Sequence, residues 1–325
     1  MVPQRTSVQS RRAVDVGTKI GVPHRPEAAL ELSVPVVSAP MDTVTGPEMA
    51  RALAKLGGLG VMHRYSSPEQ RVEDALQVGA YRFGVSVSTI EARNKIFIEQ
   101  LVEAGAGVIC VDTANGHNSM AVEAVDFIRK HLPDSVHIMC GNVATSEGFR
   151  NLIDAGADSV RVGIGGGSAC TTRIVSGHGV PTMASVMDCS ETYPEMRSAI
   201  IADGGIRNSG DVVKAISSGA SAVMLGSLLA GHNESPGSPS EGRVYFRGMA
   251  SGAAQDDWRG GHDIREGVEG SVPFRGDLID TIKSLSLGIG SGCSYSGVDS
   301  LSDLHEFSEY VVVSSASLVE SNPRI

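Results

Sequence analysis

The sequence predicts a single (β/α)8 (TIM) barrel. Three observations carry that prediction: eight short apolar runs recur along the chain, amphipathic segments separate them, and the joints from helix to strand repeat. The runs are Val34–Pro40, Gly57–His63, Tyr81–Val87, Gly107–Thr113, His137–Val143, Ser159–Gly165, Ser198–Gly205 and Ala222–Ser227. They are nearly continuous rather than alternating, as befits strands of a parallel sheet buried on both faces. The joints LVEAGAGVICVD (101–112), LIDAGADSVRVG (152–163) and AISSGASAVMLG (215–226) each give a helix end, a glycine C-cap, a short turn and a strand. A doubly wound sheet is the alternative, because Gly163–Ser168 has a GxGxxG-like spacing. That loop follows the sixth run, whereas a dinucleotide fold carries it after the first.

Around this body, residues 1–30 read as a polar N-terminal arm bearing Arg5, Arg11, Arg12 and Arg25. Residues 231–275 have few apolar anchors and read as a mobile lid next to the mouth of the barrel. Residues 276–290 read as the last barrel helix and 291–325 as a tail ending in Glu320-Ser321-Asn322-Pro323. All 325 residues fit one domain of this type.

Composition is that of a soluble enzyme, with 41% apolar and 20% charged residues. A net charge of −10 argues against broad nucleic-acid binding and leaves room for a local phosphate pocket. No apolar run is long enough to span a bilayer, and the start lacks the apolar core of a signal peptide. The five cysteines form no CxxC pair, which suggests reduced thiols, a cytoplasmic setting and no zinc.

In a barrel of this kind the chemistry gathers at the carboxyl ends of the strands. Those ends carry Ser38, Met41 and Asp42, then His63 and Arg64, Asp112 with Asn115, Asn142, the loop Gly163–Arg173, Asp203-Gly204-Gly205, and Gly226-Ser227. The loop GIGGGSACTTR (163–173) presents Cys170 on a glycine-rich turn followed by two hydroxyl residues, a setting for a nucleophilic thiol. A buried cysteine is more often a packing residue, and Cys110, Cys140, Cys189 and Cys293 fit that plainer reading. Likewise His63 reads equally as a cofactor contact or a capping histidine. Asp42 and Asp203 could be loop hydrogen-bond partners, and Trp258 is either a lid anchor or a surface aromatic.

The segments SAPMDTV (38–44), GNVAT (141–145), GIGGGSACTTR (163–173), IADGGI (201–206) and RGM (247–249) together resemble the IMP dehydrogenase/GMP reductase family over nearly the whole chain. The resemblance implies a barrel that binds a purine nucleotide monophosphate, with Cys170 adding to C2 of the purine. It implies Thr172 handling the water or ammonia at that carbon and Glu266 relaying a proton. The nucleotide would meet Ser38, Met41, Ser168, Asp203, Gly205, Gly226, Ser227, Gly248 and Met249. Asp112, Asn142 and Gly163 match positions beside the nicotinamide cofactor. A monovalent cation, K+, would lie on the carbonyls of Gly163, Gly165 and Cys170, with Glu320 contributed by a neighbour's tail in a homotetramer.

The two branches of the family differ in the lid, and this lid favours GMP reductase, using NADPH to convert GMP to IMP and ammonia. The stretch 252–263 (GAAQDDWRGGHD) lacks the Arg-Tyr pair with which dehydrogenases activate water, and its Gly-Gly resembles the reductase lid. The turn Met62–Tyr65 leaves no room for the paired regulatory (CBS) insertion of dehydrogenases, and Phe246 and Asn115 also resemble reductases. The alternative is an IMP dehydrogenase without that insertion, using NAD. Arg173-Ile174-Val175, the stretch 206–211 and Glu266–Gly270 resemble that branch, and Arg259 could replace the missing base. A third reading is a non-catalytic relative that only binds purine nucleotide.

Overall fold

The computed structural model describes residues 1–261 and 264–321. Two short strands, β1 (Thr18–Ile20) and β2 (Leu30–Leu32), pair antiparallel within the arm. Eight parallel strands then close a barrel: β3 (Val36–Ser38), β4 (Leu59–Met62), β5 (Phe83–Val87), β6 (Val108–Asp112), β7 (His137–Val143), β8 (Ser159–Val162), β9 (Ile200–Asp203) and β10 (Ala222–Leu225). All eight sequence runs contain one of these strands. The seam closes where β10 pairs with both β9 and β3.

Helices follow the strands in turn: α1 (Pro47–Lys55), α2 (Pro68–Val78), α3 (Lys95–Glu103), α4 (Ser119–His131), α5 (Ser146–Asp154), the short α6 (Thr172–Val175) with α7 (Thr182–Thr192), and α8 (Ser209–Ser217). Their starts are marked in the sequence. Ser67, Asn94, Asn118, Thr145 and Asn208 each accept a hydrogen bond from a backbone N–H of the first turn. Between β4 and α2 the chain passes only through His63–Ser67, so no domain is inserted there.

Two apolar layers hold the barrel. One lies between strands and helices and includes Leu53, Ile98, Leu101, Ile128, Phe149 and Ile289. The other fills the barrel itself with Val37, Leu59, Val61, Val108, Met139, Ile201 and Met224. Ile20, Leu30 and Leu32 of the arm join that inner layer, so the arm is less irregular than its polarity suggests and plugs the barrel from below. Arg25 pairs with buried Asp158 at 2.7 Å and fastens the plug.

The region 231–275 is likewise structured. It folds as β11 (Arg243–Arg247), α9 (Gly252–Arg259) and β12 (Glu269–Pro273), with β11 and β12 forming an antiparallel pair. The last barrel helix, α10, runs Leu278–Ser296, six residues past the expected boundary at 290, and ends on the left-handed Gly297. Two of its glycines are points of close contact. A Cβ at Gly290 would meet the Arg11 carbonyl at 2.5 Å, and one at Gly292 would meet Val213 at 2.5 Å. A last helix, α11 (Ser315–Glu320), follows. His262 and Asp263 of the lid motif, and Asn322 and Pro323 of the tail, lie outside the described residues.

Candidate active site

The cysteine loop leaves β8 through Gly163, whose φ of +143° and close neighbours admit no side chain: a Cβ there would lie 2.1 Å from the Asp203 carbonyl oxygen. The loop thus packs backbone to backbone on the turn after β9. Cys170 is half-buried, whereas the other four cysteines are buried. Burial pushes the Cys110 thiol up to about 11, Cys189 to about 12 and Cys293 to about 11, and raises Cys140 as well. Those four stay protonated and inert near neutral pH. Cys170 alone among the five is partly exposed.

A relay leads away from that thiol. The Cys170 Sγ–H donates to Thr172 Oγ1 at 3.2 Å, and the Thr172 hydroxyl donates to the Glu266 carboxylate at 2.9 Å. The backbone fixes the same geometry. Thr171 N–H donates to the Glu266 carbonyl at 2.9 Å, Val268 N–H to the Ala169 carbonyl at 2.9 Å, and Cys170 bridges Gly267 in antiparallel fashion. The lid's return strand is therefore stitched to the nucleophile loop. Glu269, three residues on, is exposed and accepts from the Tyr245 hydroxyl.

Beneath the mouth runs a second network. Asn142 Nδ2 donates to Asp203 Oδ2 and to the Gly163 carbonyl, each at 2.8 Å. Arg161, from β8, donates to Asn142 Oδ1, pairs with Asp112 at 2.8 Å and approaches Asp203 at 3.4 Å. Arg64 pairs with the other Asp112 oxygen at 3.2 Å. Burial works against charge on Asp112, but Arg161 and Arg64 outweigh it and hold the carboxyl below its usual range. For Asp203 burial prevails over Arg161 and Asn142, and its carboxyl is raised. Arg161 escaped the sequence reading. The signal was a charge inside the run SVRV, where a strand buried on both faces demands a partner.

The remaining candidates fall in three groups. Met41 and Met249 are half-buried at the mouth, while Gly205 and Ser168 are exposed there. Gly226 and Gly248 sit tight against neighbours: a Cβ would meet Met41 Sδ at 3.2 Å and the Ala169 carbonyl at 2.9 Å. Ser227 is half-buried on the same rim. Ser38, at the end of β3, is fully buried, and its Oγ accepts from the Thr45 hydroxyl at 2.8 Å. His63 caps its own loop, accepting from Tyr65 N–H at 3.1 Å. Asp42 holds Arg247 and Trp258 through their side-chain N–H groups.

Among the described residues no three His, Cys, Asp or Glu side chains converge as a metal site. The Gly163 carbonyl proposed for K+ accepts from Asn142, and Glu320 lies in α11. No helix among the described residues is long and apolar enough to cross a membrane.

Residues 1–324 match the IMP dehydrogenase / GMP reductase domain. The chain belongs to this family. Among curated relatives, an inosine-5'-monophosphate dehydrogenase of Halalkalibacterium halodurans is 45% identical over 248 residues, which is 72% of this chain and 50% of that protein. One of Aquifex aeolicus is 44% identical over 76% of this chain and 52% of its own length. One of Borreliella burgdorferi is 34% identical over 90% of this chain and 89% of its own length. The chain thus spans about half the length of the first two relatives. The relatives' names favour the dehydrogenase branch over the reductase expected from the lid.

Proposed function

We propose that this barrel is an IMP dehydrogenase, oxidising IMP at C2 to xanthosine monophosphate with NAD as hydride acceptor. The observation that carries the chemistry is the Cys170–Thr172–Glu266 relay, and the dehydrogenase relatives favour this branch. The Cys170 thiolate adds to C2, and the purine then loses hydride from that carbon. Asp112 and Arg64 would hold the nicotinamide cofactor, which would supply the acceptor for that hydride. Water next attacks C2 as its proton passes through the Thr172 hydroxyl to the Glu266 carboxylate, and the C–S bond breaks to release the product and free Cys170. Met41, Ser168, Asp203, Gly205, Gly226, Ser227, Gly248 and Met249 would hold the nucleotide. Asn142 and Gly163 would act indirectly, by fixing Asp203 and the cysteine loop.

GMP reductase is the second reading, and one observation favours it: α9 carries no Arg-Tyr pair, and Arg259 stands exposed beyond Trp258. The same relay would then protonate departing ammonia, with NADPH as hydride donor. Incubation with IMP plus NAD, and separately with GMP plus NADPH, decides between them by the absorbance of the reduced cofactor. Gain from IMP supports the first reading; loss with ammonia release from GMP overturns it. Binding without turnover of either would leave the nucleotide-sensor reading. A K+ site and a homotetramer belong to the same proposal, and activity unchanged on exchanging K+ for Li+ counts against the cation.

A further inference from the structure

Asp42, in the loop after β3, collects three donors. Its Oδ2 accepts from Arg247 Nη2 at 2.6 Å, from Arg247 Nε at 3.1 Å and from the Trp258 indole N–H at 2.9 Å. Arg247 turns its other guanidinium nitrogen to Asp257 Oδ2 at 2.6 Å. The partners divide by burial. Asp42 and Arg247 side chains are 7% and 9% exposed, whereas Asp257 is 58% and Trp258 44% exposed. Both exposed partners are neighbours on α9, whereas the buried ones lie in the loop after β3 and at the end of β11.

On the reading that this barrel processes a purine nucleotide, we propose that Asp257 and Trp258 form a releasable latch that seats α9 on the Asp42–Arg247 pair and thereby positions Glu266. Release is inexpensive because the Asp42–Arg247 pair survives it, so no buried charge is left alone. The exposed Asp257 arm is screened by solvent and is the weaker one. The indole N–H to the shielded carboxylate is the stronger one. Seating reaches the relay through Gln255, whose Nε2 donates to the Ala250 carbonyl at 3.0 Å and the Ile264 carbonyl at 2.8 Å. Ala250 O also accepts from Glu266 N–H at 3.1 Å. On the opposite side the Trp258 ring lies 6.4 Å from Tyr65, whose face carries the Arg64 guanidinium at 4.8 Å. Arg64 in turn holds Asp112. A seated helix thus touches both flanks of the mouth, and Asp257 and Trp258 are positioning residues.

Trp258 is the single tryptophan of the chain, so its emission reports the latch directly. In Asp257→Asn, acrylamide quenching of that emission rises about twofold or more and trypsin cuts after Arg259 faster, because local opening is more populated. In Trp258→Phe kcat falls about tenfold and in Asp257→Asn, the weaker arm, about threefold, while the nucleotide KM stays within about twofold in both, since a lost positioning contact acts on the transition state. The double variant is no worse than the poorer single one, as expected of two parts of one device. Unchanged quenching and cleavage in Asp257→Asn overturn the latch. Increased quenching with kcat unaltered overturns its positioning role. If wild type turns over neither IMP with NAD nor GMP with NADPH, the functional reading fails, while the quenching and cleavage results still judge the latch.

Discussion

Replacing Glu266 by Gln isolates proton acceptance from everything else this residue does. The amide oxygen still accepts from the Thr172 hydroxyl across 2.9 Å. The backbone bonds from Thr171 and to Ala250 do not involve the side chain. Only the capacity to take up a proton is lost. General acid–base assistance is worth about 10²–10⁴ in rate, or ~3–5 kcal/mol of barrier, and kcat should fall by that factor. In the dehydrogenase reading hydride leaves before water attacks, so the loss falls on the second half of the reaction. Rapid mixing of Glu266→Gln with IMP and NAD should give a fast burst of reduced cofactor, close to stoichiometric with enzyme, followed by slow turnover. Mass spectrometry should find the purine attached to Cys170. Turnover within about threefold of wild type would refute the relay, since a general base contributes far more than that. Slow turnover with no burst and no adduct would place Glu266 before hydride departure and refute its assignment to water.

Cys170→Ala should abolish turnover yet leave nucleotide binding measurable by thermal shift; intact turnover would end the covalent mechanism. Gly163→Ala would force a Cβ to 2.1 Å from the Asp203 carbonyl at a φ of +143°. It should cost about 1–3 kcal/mol or more in urea unfolding and weaken nucleotide binding, and an unchanged midpoint would contradict the packing. Burial holds the His137 imidazole below its usual 6.5, with Nδ1 bonded to the Ala28 carbonyl and Nε2 to Ser159. The unfolded chain takes up that proton more readily, so stability is full above about pH 6.5 and falls as pH drops below it, by at most ~1.4 kcal/mol per pH unit. His137→Gln should flatten that slope in urea titrations, and parallel slopes for both proteins would exclude His137 as its source.

The barrel was legible because strands buried on both faces leave continuous apolar runs, and because caps such as Asn118 and Thr145 announce their helices locally. The arm and the helix end were harder for a physical reason. Ile20, Leu30 and Leu32 are isolated apolar residues whose burial depends on a distant barrel floor, which no local period encodes. Within α10, Gly290 and Gly292 allow close approach to Arg11 and Val213, contacts far away in sequence. At the site, Cys170, Thr172 and Glu266 emerged from motif position, and the structure joins all three. Ser38 shares such a motif, and its bond to Thr45 shows what a motif leaves open: it fixes a residue's neighbourhood but not its partners. Arg161 shows the converse: a lone charge in a buried strand, detectable in the sequence by the partners it requires.

The division between frame and lid also explains why one scaffold can serve two reactions. The cysteine loop is bound on one side to the turn after β9, where Gly163 meets Asp203, and on the other to the lid's return strand, where Cys170 meets Gly267. Those contacts run through backbone, so they tolerate changes of side chain and keep thiol, hydroxyl and carboxylate in line. The stretch from Ser251 to Gly261 makes few such contacts. Its helix is held through side chains: Gln255 to carbonyls, Asp257 to Arg247 and Trp258 to Asp42. Side-chain contacts can be exchanged one at a time while the backbone stitching of the cysteine loop persists. A lineage can therefore change what the lid does at C2, admitting an attacking water or letting ammonia depart, while Cys170, Thr172 and Glu266 stay fixed. It follows that substitutions in α9 should alter which nucleotide is turned over, whereas substitutions in the stitched backbone should remove turnover of both.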